Sequence, residues 1–278
     1  MNKQAIMITG ASTGIGYSCA ERMATRGHRV FAGVRKLADA ERLQHSAGDN
    51  ITPVVVDVTE ELQVTAAADQ IAQALQGAPL LGLVNNAGVA LGGPLELVSM
   101  EDFKRQFDVN VFGAVAMTKA LLPLLRASRG RIVNISSVSG MVAMAGFAPY
   151  ASSKFAIEAV TDALRRELRA HGVFACAVQP GSIRTPIWEK GKHYANVTQT
   201  ELSSELSSTY SDLLGLLNRI VVQTEAMAAP PDGVADAVEH ALTSTRPRIR
   251  YRVGPNSGLM RLLSWLPTRA LDLVIARM

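Results

Sequence analysis

The sequence predicts an α/β fold: a doubly wound, seven-stranded, mostly parallel sheet with helices on both faces. Two patterns lead to this prediction. Short apolar runs alternate with helical stretches along the chain, which is typical of a parallel sheet, and glycine or polar residues follow most of those runs. At 278 residues the chain has the size of one large domain, so we expect a single domain over residues 1–278.

The predicted strands and helices follow one another in a regular order. Each strand is a short apolar run of the kind that parallel sheets bury on both faces, and each helix has apolar residues at a period near 3.6. The strands are expected at 5–9, 29–34, 51–57, 81–85, 131–136, 173–179 and 249–253, and the helices near 14–26, 37–45, 60–75, 100–128, 149–170 and 231–242.

Residues 182–229 interrupt this alternation. They are rich in Ser, Thr and Glu and contain an amphipathic piece at 213–221, which is typical of a lid or binding loop at the rim of a sheet. A packed pair of surface helices is the alternative. Residues 256–278 are an apolar helical extension divided by Pro267; packing on the protein itself or on a second copy is the first interpretation, and membrane-surface docking is the alternative.

A glycine-rich turn joins the first strand to the first helix. Gly10, Gly14 and Gly16 follow an apolar run and precede a helical pattern. Such glycines permit a tight bend and close approach of a ligand, and they leave the first helical amides available for phosphate. We therefore predict a dinucleotide-binding loop, although its spacing differs from the ordinary Gly-x-Gly-x-x-Gly fingerprint. A turn without a ligand is the alternative.

Tyr150 and Lys154 lie four residues apart on a predicted helix, so they share one face. Two unit charges about 4 Å apart interact by roughly 4 kcal/mol at an effective dielectric of about 20, which is about three pKa units. We therefore expect Lys154 to lower the pKa of Tyr150 toward neutrality, where a general acid/base is most effective. Ser137 stands thirteen residues before the tyrosine.

Together these motifs resemble the short-chain dehydrogenase/reductase superfamily. The tail, with its arginines and apolar end, is similar to the hydroxysteroid and retinol dehydrogenase-like members. The residues that carry the family resemblance match in order and spacing over about 3–185 and are 9–16, Asn85-Asn86-Ala87-Gly88, Asn110, Asn134-Ile135-Ser136-Ser137, Tyr150-x-x-x-Lys154 and Pro180-Gly181.

The resemblance implies a Rossmann-type fold and four catalytic residues. Ser137 would hydrogen-bond the substrate oxygen, and Tyr150 would give its proton to that oxygen or remove it. Lys154 would lower the tyrosine pKa and hydrogen-bond the cofactor ribose, and Asn110 would hold a water that relays protons to solvent. Ser136 is the rival of Ser137, and the thirteen-residue offset from Tyr150 favours Ser137.

The resemblance also implies the surroundings of a nicotinamide dinucleotide. Asp57 would contact the adenine amino group with Val58 beside the ring, and Thr185 would reach the nicotinamide carboxamide. The alternative for Asp57, an acid in the N-cap region of a helix before Thr59, is compatible with that contact. The implied cofactor-binding residues are Gly10, Ser12, Thr13, Gly14, Ile15, Gly16, Arg35, Asp57, Val58, Asn86, Ala87, Gly88, Tyr150, Lys154, Pro180, Gly181, Ile183 and Thr185.

The end of the second strand favours NADP (NADPH) as the cofactor, with NAD as the second choice. NAD-linked enzymes place a carboxylate there, whereas this chain has Val34, Arg35 and Lys36. A guanidinium can hold a 2′-phosphate through two hydrogen bonds. Against this, Thr13 stands where many NADP-preferring members of the family carry a further basic residue, and Arg35 as an ordinary exposed arginine is the alternative.

Composition excludes several other classes of function. The net charge is +4, but basic residues are scattered apart from the group Arg246, Arg248, Arg250 and Arg252, which alternation would place on one face of a strand. A solvated strand edge is preferred over an anion site there, and no nucleic-acid partner is expected. The histidines and two cysteines lack metal-ligand spacing, so no metal is expected. The cysteines also favour a reduced, cytoplasmic setting, and we expect no transmembrane segment.

The resulting hypothesis is an NADP(H)-dependent oxidoreductase that acts on CH–OH donors and interconverts a ketone or aldehyde and an alcohol. The apolar lid and tail favour a steroid, a retinoid or a similar bulky carbonyl as substrate. The alternatives are a 3-oxoacyl-thioester reductase, acting on acyl carrier protein or CoA, and a non-catalytic NADP(H)-sensing protein. The family also implies a homodimer or homotetramer.

Overall fold

Seven parallel strands form one sheet in the order β3-β2-β1-β4-β5-β6-β7. The computed structural model describes residues 4–46, 49–187 and 204–276. Its strands are β1 (Ala5–Ile8), β2 (Arg29–Val34), β3 (Ile51–Val55), β4 (Leu80–Asn85), β5 (Arg131–Ile135), β6 (Phe174–Pro180) and β7 (Arg250–Val253). The α/β prediction is confirmed, and the sheet is fully rather than mostly parallel.

Helices lie on both faces of the sheet because alternate residues of each strand point to opposite sides. In β1, Ile6 and Ile8 belong to one apolar core and Ala5 and Met7 to the other. The α-helices are α1 (Gly14–Thr25), α2 (Leu37–Ser46), α3 (Glu61–Leu75), α4 (Met100–Phe107), α5 (Gly113–Ser128), α6 (Ala148–Glu167), α7 (Ser204–Thr209), α8 (Ser211–Ala226), α9 (Asp232–Thr243), α10 (Ser257–Leu263) and α11 (Thr268–Ile275).

The two cores are built by different helices. Helices α1, α2 and α9 cover the first core, through residues such as Met23, Leu43 and Val238. Helices α3 and α5 cover the second, through residues such as Ile71 and Leu121. The chain crosses from one face to the other between β3 and β4, so β4 pairs with the free edge of β1. The strand order reverses between β1 and β4, and a crevice at their carboxyl ends is the usual ligand-binding place in such a sheet.

The long helix expected at 100–128 is divided. A π-helical turn at Asp108–Phe112 separates α4 from α5, and Asn110 lies within it. Single π-turns inside α-helices occur frequently at functional sites. Residues Met100–Ser128 are long and apolar enough to pass a length-and-composition test for a membrane span, but Met117, Leu121 and Leu125 are buried against the sheet, as in a core helix.

The expected arrangement of four arginines on one strand face is wrong. Strand β7 begins at Arg250, so Arg246 and Arg248 precede it. Arg250 forms ion pairs with Glu158 and Asp162 of α6, whereas Arg252 is exposed. The carboxylates of α6 therefore hold one arginine inward.

The predicted lid is described only in part. Of the range 182–229, residues 188–203 lie outside the described residues. The amphipathic piece at 213–221 falls within α8, and Leu217 of that helix packs against Gly146, a few residues before Tyr150. The single-domain prediction and the lid's role in substrate binding stay predictions.

Truncation of a buried side chain in α5 should destabilise the fold. Leu121 is fully buried, so Leu121→Ala should lower the free energy of unfolding by about 2–5 kcal/mol. Leu62→Ala on α3 is the matched control, because Leu62 is 87% exposed, and it should change the free energy by no more than about 0.5 kcal/mol. Urea denaturation measures both, and equal effects would contradict the assignment of α5 to the core.

Candidate active site

The segments that carry the predicted site meet along one edge of the sheet. Strands β1, β4, β5 and β6 are consecutive neighbours and run parallel, so the residues after their carboxyl ends lie side by side. Those residues are the glycine loop, Asn86, Ser137 and Gly181. The topology therefore brings four predicted segments to one rim.

The glycine loop has the shape of a phosphate cradle. Gly10 has φ +64°, and a Cβ there would lie 2.8 Å from the Cα of Ala87. A Cβ on Gly16 would lie 2.3 Å from the carbonyl oxygen of Gly10. Helix α1 begins at Gly14 with no side-chain cap from Thr13 and no acidic residue in its first turn. Its positive end can therefore receive an anion without competition from a carboxylate.

Thr9 holds the glycine loop against the end of β4, a role that the sequence analysis missed. Its Oγ1 accepts hydrogen bonds from the backbone N–H groups of Asn86 and Ala87, at 3.0 Å each. The Nδ2 of Asn86 in turn donates to the carbonyl oxygens of Thr9 and Gly10, at 2.9 and 3.0 Å. This exchange fixes the distance between the two segments that would flank a dinucleotide.

The adenosine end of the predicted cofactor site lies beyond β2 and β3. Arg35 is exposed directly after β2. The Nη2 of Arg42 donates to the carbonyl oxygen of Ser12 at 2.9 Å, which places a second guanidinium at the glycine loop. The Oδ1 of Asp57 accepts from the N–H and Oγ1 of Thr59, at 3.1 and 2.8 Å, so Asp57 orders the turn that precedes α3, whose N-cap is Glu60. The contacts of Asp57 and Val58 with adenine stay predictions.

The opposite wall of the site is formed after β6. Pro180 ends that strand, and the N–H of Gly181 donates to the carbonyl oxygen of Val253 at 2.8 Å. Ile183 is buried and forms a bridge with Ala229. The methyl carbon of Thr185 lies 3.1 Å from where a Cβ on Gly14 would stand. This wall therefore lies against the start of α1.

Helix α6 carries the predicted catalytic pair. Its first residues are Ala148 and Pro149, and Pro is suited to the first helical turn. Tyr150 and Lys154 are both buried, and the Nζ of Lys154 lies 5.6 Å from the centroid of the tyrosine ring. That Nζ donates to the carbonyl oxygen of Ile135 at 2.9 Å. The end of β5 therefore fixes the ammonium beside the phenol.

The expected direction of the tyrosine pKa is wrong for this structure. Burial raises the pKa of Tyr150 above its ordinary value, and a hydrogen bond with Ser137 offsets part of the rise. Burial also lowers the pKa of Lys154 to about 8, against the attraction of Glu158. The prediction considered the Coulombic attraction alone, whereas loss of solvent dominates when both groups are buried.

The side chain of Asn110 contacts protein groups on two sides. Its Oδ1 accepts from the N–H of Val89 at 2.9 Å, and its Nδ2 donates to the carbonyl oxygen of Val89 and to the Oγ of Ser153, at 3.0 and 3.1 Å. Both amide hydrogens are thus used, and only Oδ1 keeps a lone pair for a water. Asn110 therefore ties the segment after Gly88 to α6, and its predicted proton relay stays a prediction.

Polar residues that the sequence analysis missed stabilise the segment after Gly88 and helix α6 through hydrogen bonds and an ion pair. Gln106 bonds the N–H of Leu91 and the carbonyl of Val89, at 2.7 Å each. Gln179 donates to Glu158 at 3.0 Å, and Glu158 also pairs with Arg250. The sequence could have indicated Gln106 and Glu158, because each is a polar residue next to apolar residues on a predicted helix.

The residues present fit a nicotinamide dinucleotide. Three features support the fit: a glycine cradle that a Cβ would fill, an uncapped helix start without acids, and a buried proton-bearing pair at the same rim. No group of three or more His, Cys, Asp or Glu side chains suited to a metal occurs among the described residues.

Filling the cradle should weaken cofactor binding. A Cβ on Gly16 would lie 2.3 Å from Gly10 O and 2.4 Å from Asn86 Nδ2, so Gly16→Ala should displace the loop and lower dinucleotide affinity at least tenfold. Gly258→Ala is the control, because a Cβ there meets nothing within 4 Å. Quenching of tryptophan fluorescence or isothermal calorimetry measures both affinities. Equal affinities for Gly16→Ala and wild type would show that the loop is not the cradle.

Comparison with known proteins agrees with the geometry. The short chain dehydrogenase family profile matches residues 4–195. An NADPH-dependent 3-dehydrocapnine reductase of Ornithobacterium rhinotracheale is 35% identical, covering 96% of this chain and 94% of the relative. Retinol dehydrogenase 16 of Mus musculus is 36% identical, covering 97% and 87%. The crystal structure of a short-chain dehydrogenase from Streptomyces avermitilis superposes with a TM-score of 0.79 at 25% identity, covering 99% and 94%.

These similarities confirm the family, with retinol and hydroxysteroid dehydrogenases among the relatives, and with it the Rossmann-type fold and an NAD(P) cofactor. They leave the roles of individual residues as predictions. The chain belongs to the short-chain dehydrogenase family, whose members are oxidoreductases acting on CH–OH groups.

Proposed function

We propose that this protein is an NADP(H)-dependent oxidoreductase that interconverts a bulky, mostly apolar ketone or aldehyde and its alcohol. The observation that carries the proposal is the buried pair Tyr150 and Lys154, held beside Ser137 at the end of β5. Both groups are shielded from water beside the dinucleotide cradle. The phenol can therefore give a proton to the substrate oxygen when hydride transfer makes that oxygen negative, and the ammonium can stabilise the charge.

Each side chain at the rim has a defined task in this proposal. The nicotinamide supplies or accepts the hydride when the cofactor is bound. Ser137 donates a hydrogen bond to the substrate oxygen and holds it beside Tyr150. Tyr150 donates its proton to that oxygen in reduction and removes it in oxidation. Lys154 contributes its positive charge, which stabilises the phenolate that remains after the proton has left.

The high pKa of Tyr150 suits reduction. Because burial raises the pKa of the phenol, Tyr150 stays protonated at neutral pH and is ready to act as an acid. The buried ammonium then reduces the cost of forming a phenolate in a medium that solvates charge poorly. In oxidation the same burial requires a higher pH, since the phenol must first lose its proton.

NADP(H) is favoured by the guanidinium of Arg35. The end of β2 has no carboxylate that would favour NAD, and exposed Arg35 follows it directly. Arg42 also reaches the carbonyl of Ser12 in the glycine loop, but Asp39 pairs with its guanidinium at 3.0 Å, so Arg35 is the group proposed to hold the 2′-phosphate. The relative from Ornithobacterium rhinotracheale is NADPH-dependent by name, which supports the same choice.

A bulky apolar substrate is favoured by the covering elements. Helix α8 packs Leu217 onto Gly146, just before α6, so an apolar helix borders the approach to Tyr150. A retinol dehydrogenase among the relatives acts on an apolar alcohol by its name. A thioester reductase with an acidic carrier partner is less favoured, because Arg250 of the suggested docking strand is held by Glu158 and Asp162.

A homodimer or homotetramer is the proposed assembly. Phe112, at the end of the π-helical turn before α5, and Phe155, on α6, are exposed large apolar residues near Asn110 and Tyr150 in the sequence. Helices α5 and α6 therefore offer the contact surface for a second copy.

Removal of the tyrosine hydroxyl tests the reaction. Tyr150→Phe should abolish NADPH-dependent reduction across a panel of apolar ketones and leave NADPH affinity nearly unchanged. The reduction is measured by the loss of NADPH absorbance. Tyr251→Phe is the control, because its buried hydroxyl bonds His240 at 2.8 Å on another part of the fold. Retention of most turnover by Tyr150→Phe would overturn the role of the phenol. Tight NADPH binding by a wild type that reduces no ketone would indicate a sensor.

Reversal of the charge at Arg35 tests the cofactor preference. Arg35→Asp should shift the NADPH/NADH ratio of kcat/KM toward NADH by roughly 1–3 kcal/mol, the scale of a charge-assisted hydrogen bond. Arg126→Asp, an exposed arginine near the end of α5, is the control for the change in net charge. An unchanged ratio in Arg35→Asp would show that Arg35 does not read the 2′-phosphate.

Reduction should depend on the protonation of Lys154. Because its pKa is lowered to about 8, the ammonium is present below that pH and is lost above it. The reductive kcat/KM should therefore fall as pH rises through about 8, approaching tenfold per pH unit. Lys154→Arg keeps a charge at high pH, so its residual activity should lack this limb. A limb at the same pH in both proteins would assign it to another group.

A further inference from the structure

Helices α10 and α11 expose a cluster of large apolar side chains. Trp265 is 69% exposed and Leu262 60% exposed, and α11 contains no buried residue. We define the α10–α11 patch by its exposed apolar residues, which are Leu259, Leu262, Trp265, Leu266, Leu273 and Val274. Several exposed large apolar side chains on two successive helices are typical of an interaction site.

Positive charge is concentrated in the part of the sequence that carries this patch. Residues 246–278 contain seven arginines and one acid, Asp272, for a net charge of 7 − 1 = +6. The whole chain has a net charge of +4, so residues 1–245 carry 4 − 6 = −2. Within the described residues, Arg250 is the arginine of this group that forms ion pairs with acids. The apolar patch therefore lies in the basic part of an otherwise slightly acidic protein.

Arg261 and Trp265 are arranged as at a boundary between lipid and water. The guanidinium carbon of Arg261 lies 4.9 Å from the centroid of the indole of Trp265. Amphipathic rings settle at the headgroup level of a bilayer, and arginine can bury its stem while its charge stays near phosphate. Arg269 is the second residue of the following helix α11, so Arg261 and Arg269 stand on either side of the turn that contains Trp265.

The patch is fixed to the rim of the active site. Ser257 and Leu263 anchor α10 as its buried residues. The carbonyl oxygen of Pro255 lies 1.9 Å from where a Cβ on Gly181 would stand, and α10 packs against the turn at Val138–Gly140 that follows Ser137. Any surface that covers the patch would therefore lie beside the predicted substrate site.

A second copy of the chain fits this patch poorly. A two-fold interface places the same surface against itself, which would bring the arginines of both copies together. Helices of seven and eight residues are only about 10–12 Å long at 1.5 Å per residue, so they offer little of the roughly 800 Å² per partner that a stable interface needs. Anionic lipid headgroups complement the charge instead.

We propose that the α10–α11 patch docks on the surface of an anionic lipid bilayer. The apolar side chains enter the boundary between headgroups and acyl chains, and the arginines bind lipid phosphates. Docking places the rim near Ser137 and Gly181 at the bilayer. A membrane-dissolved alcohol or ketone then reaches the site without crossing water; this last consequence alone rests on the proposed function.

Vesicle flotation tests the docking directly and needs no turnover. Purified full-length protein should float with vesicles of phosphatidylcholine and phosphatidylglycerol in a 7:3 ratio, and poorly with phosphatidylcholine alone. Raising NaCl from 0.1 to 0.5 M should weaken the binding, because salt screens exposed charges. Failure to float with anionic vesicles, or equal binding to neutral ones, would overturn the proposal.

Paired variants localise the surface. Leu262→Ser/Trp265→Ser should lower vesicle affinity at least tenfold, whereas Leu62→Ser/Met100→Ser removes two exposed apolar side chains elsewhere and should not. Arg261→Gln/Arg269→Gln should lower affinity about 25-fold, from about fivefold per arginine, and Arg105→Gln/Arg126→Gln should have little effect. Equal losses in test and control variants would contradict the assignment.

Two further measurements separate the alternatives. In sedimentation experiments, Leu262→Ser/Trp265→Ser should have the same oligomeric state as the wild type. If this variant dissociates and the wild type does not bind vesicles, the patch is a contact between copies and the proposal is overturned. The same variant should oxidise NADPH with a short, water-soluble ketone at the wild-type rate when vesicles are absent. A wild type that floats but reduces no ketone would refute the proposed function and leave the docking intact.

Discussion

The site depends on a lysine ammonium that the fold keeps out of water. Lys154 is buried, donates to the carbonyl of Ile135 and lies beside the ring of Tyr150. Burial disfavours its charge and lowers its pKa to about 8, whereas Glu158 favours the charge. The pKa of Lys154 therefore lies only slightly above neutral pH. A small change in its surroundings would change how much of the lysine is charged, and with it the free energy needed to form a phenolate at Tyr150.

The rest of the structure keeps this pair in register with a dinucleotide cradle. Parallel strands deliver the ends of β1, β4, β5 and β6 to one rim. Thr9 and Asn86 tie the glycine loop to β4, and Asn110 ties the segment after β4 to α6 through Ser153. Arg250, Glu158 and Gln179 brace α6 against the last strands. Backbone geometry and buried hydrogen bonds thus set the positions of groups that are distant in sequence.

Local patterns predicted the parts of the molecule that obey short-range rules. Apolar runs predicted the strands, and the glycines after β1 predicted the loop, because Gly10 and Gly14 adopt positive φ values that glycine tolerates best. The motifs also predicted that Ser137, Tyr150 and Lys154 would meet. Features that depend on tertiary context could not be predicted in this way. The π-turn at Asn110, the inward Arg250 and the effect of burial on the pKa of Tyr150 follow from packing, which spacing alone does not encode.

The protonation of Lys154 can be observed directly by NMR. The lysine side chains are labelled with ¹³C at Cε and titrated in the folded protein. The signal of Lys154 is the one that is missing from the spectrum of Lys154→Arg. The structure predicts a midpoint near pH 8. A midpoint at the ordinary lysine value of about 10.4 would contradict the account, because the ammonium would then be neither desolvated nor sensitive to its surroundings near neutral pH.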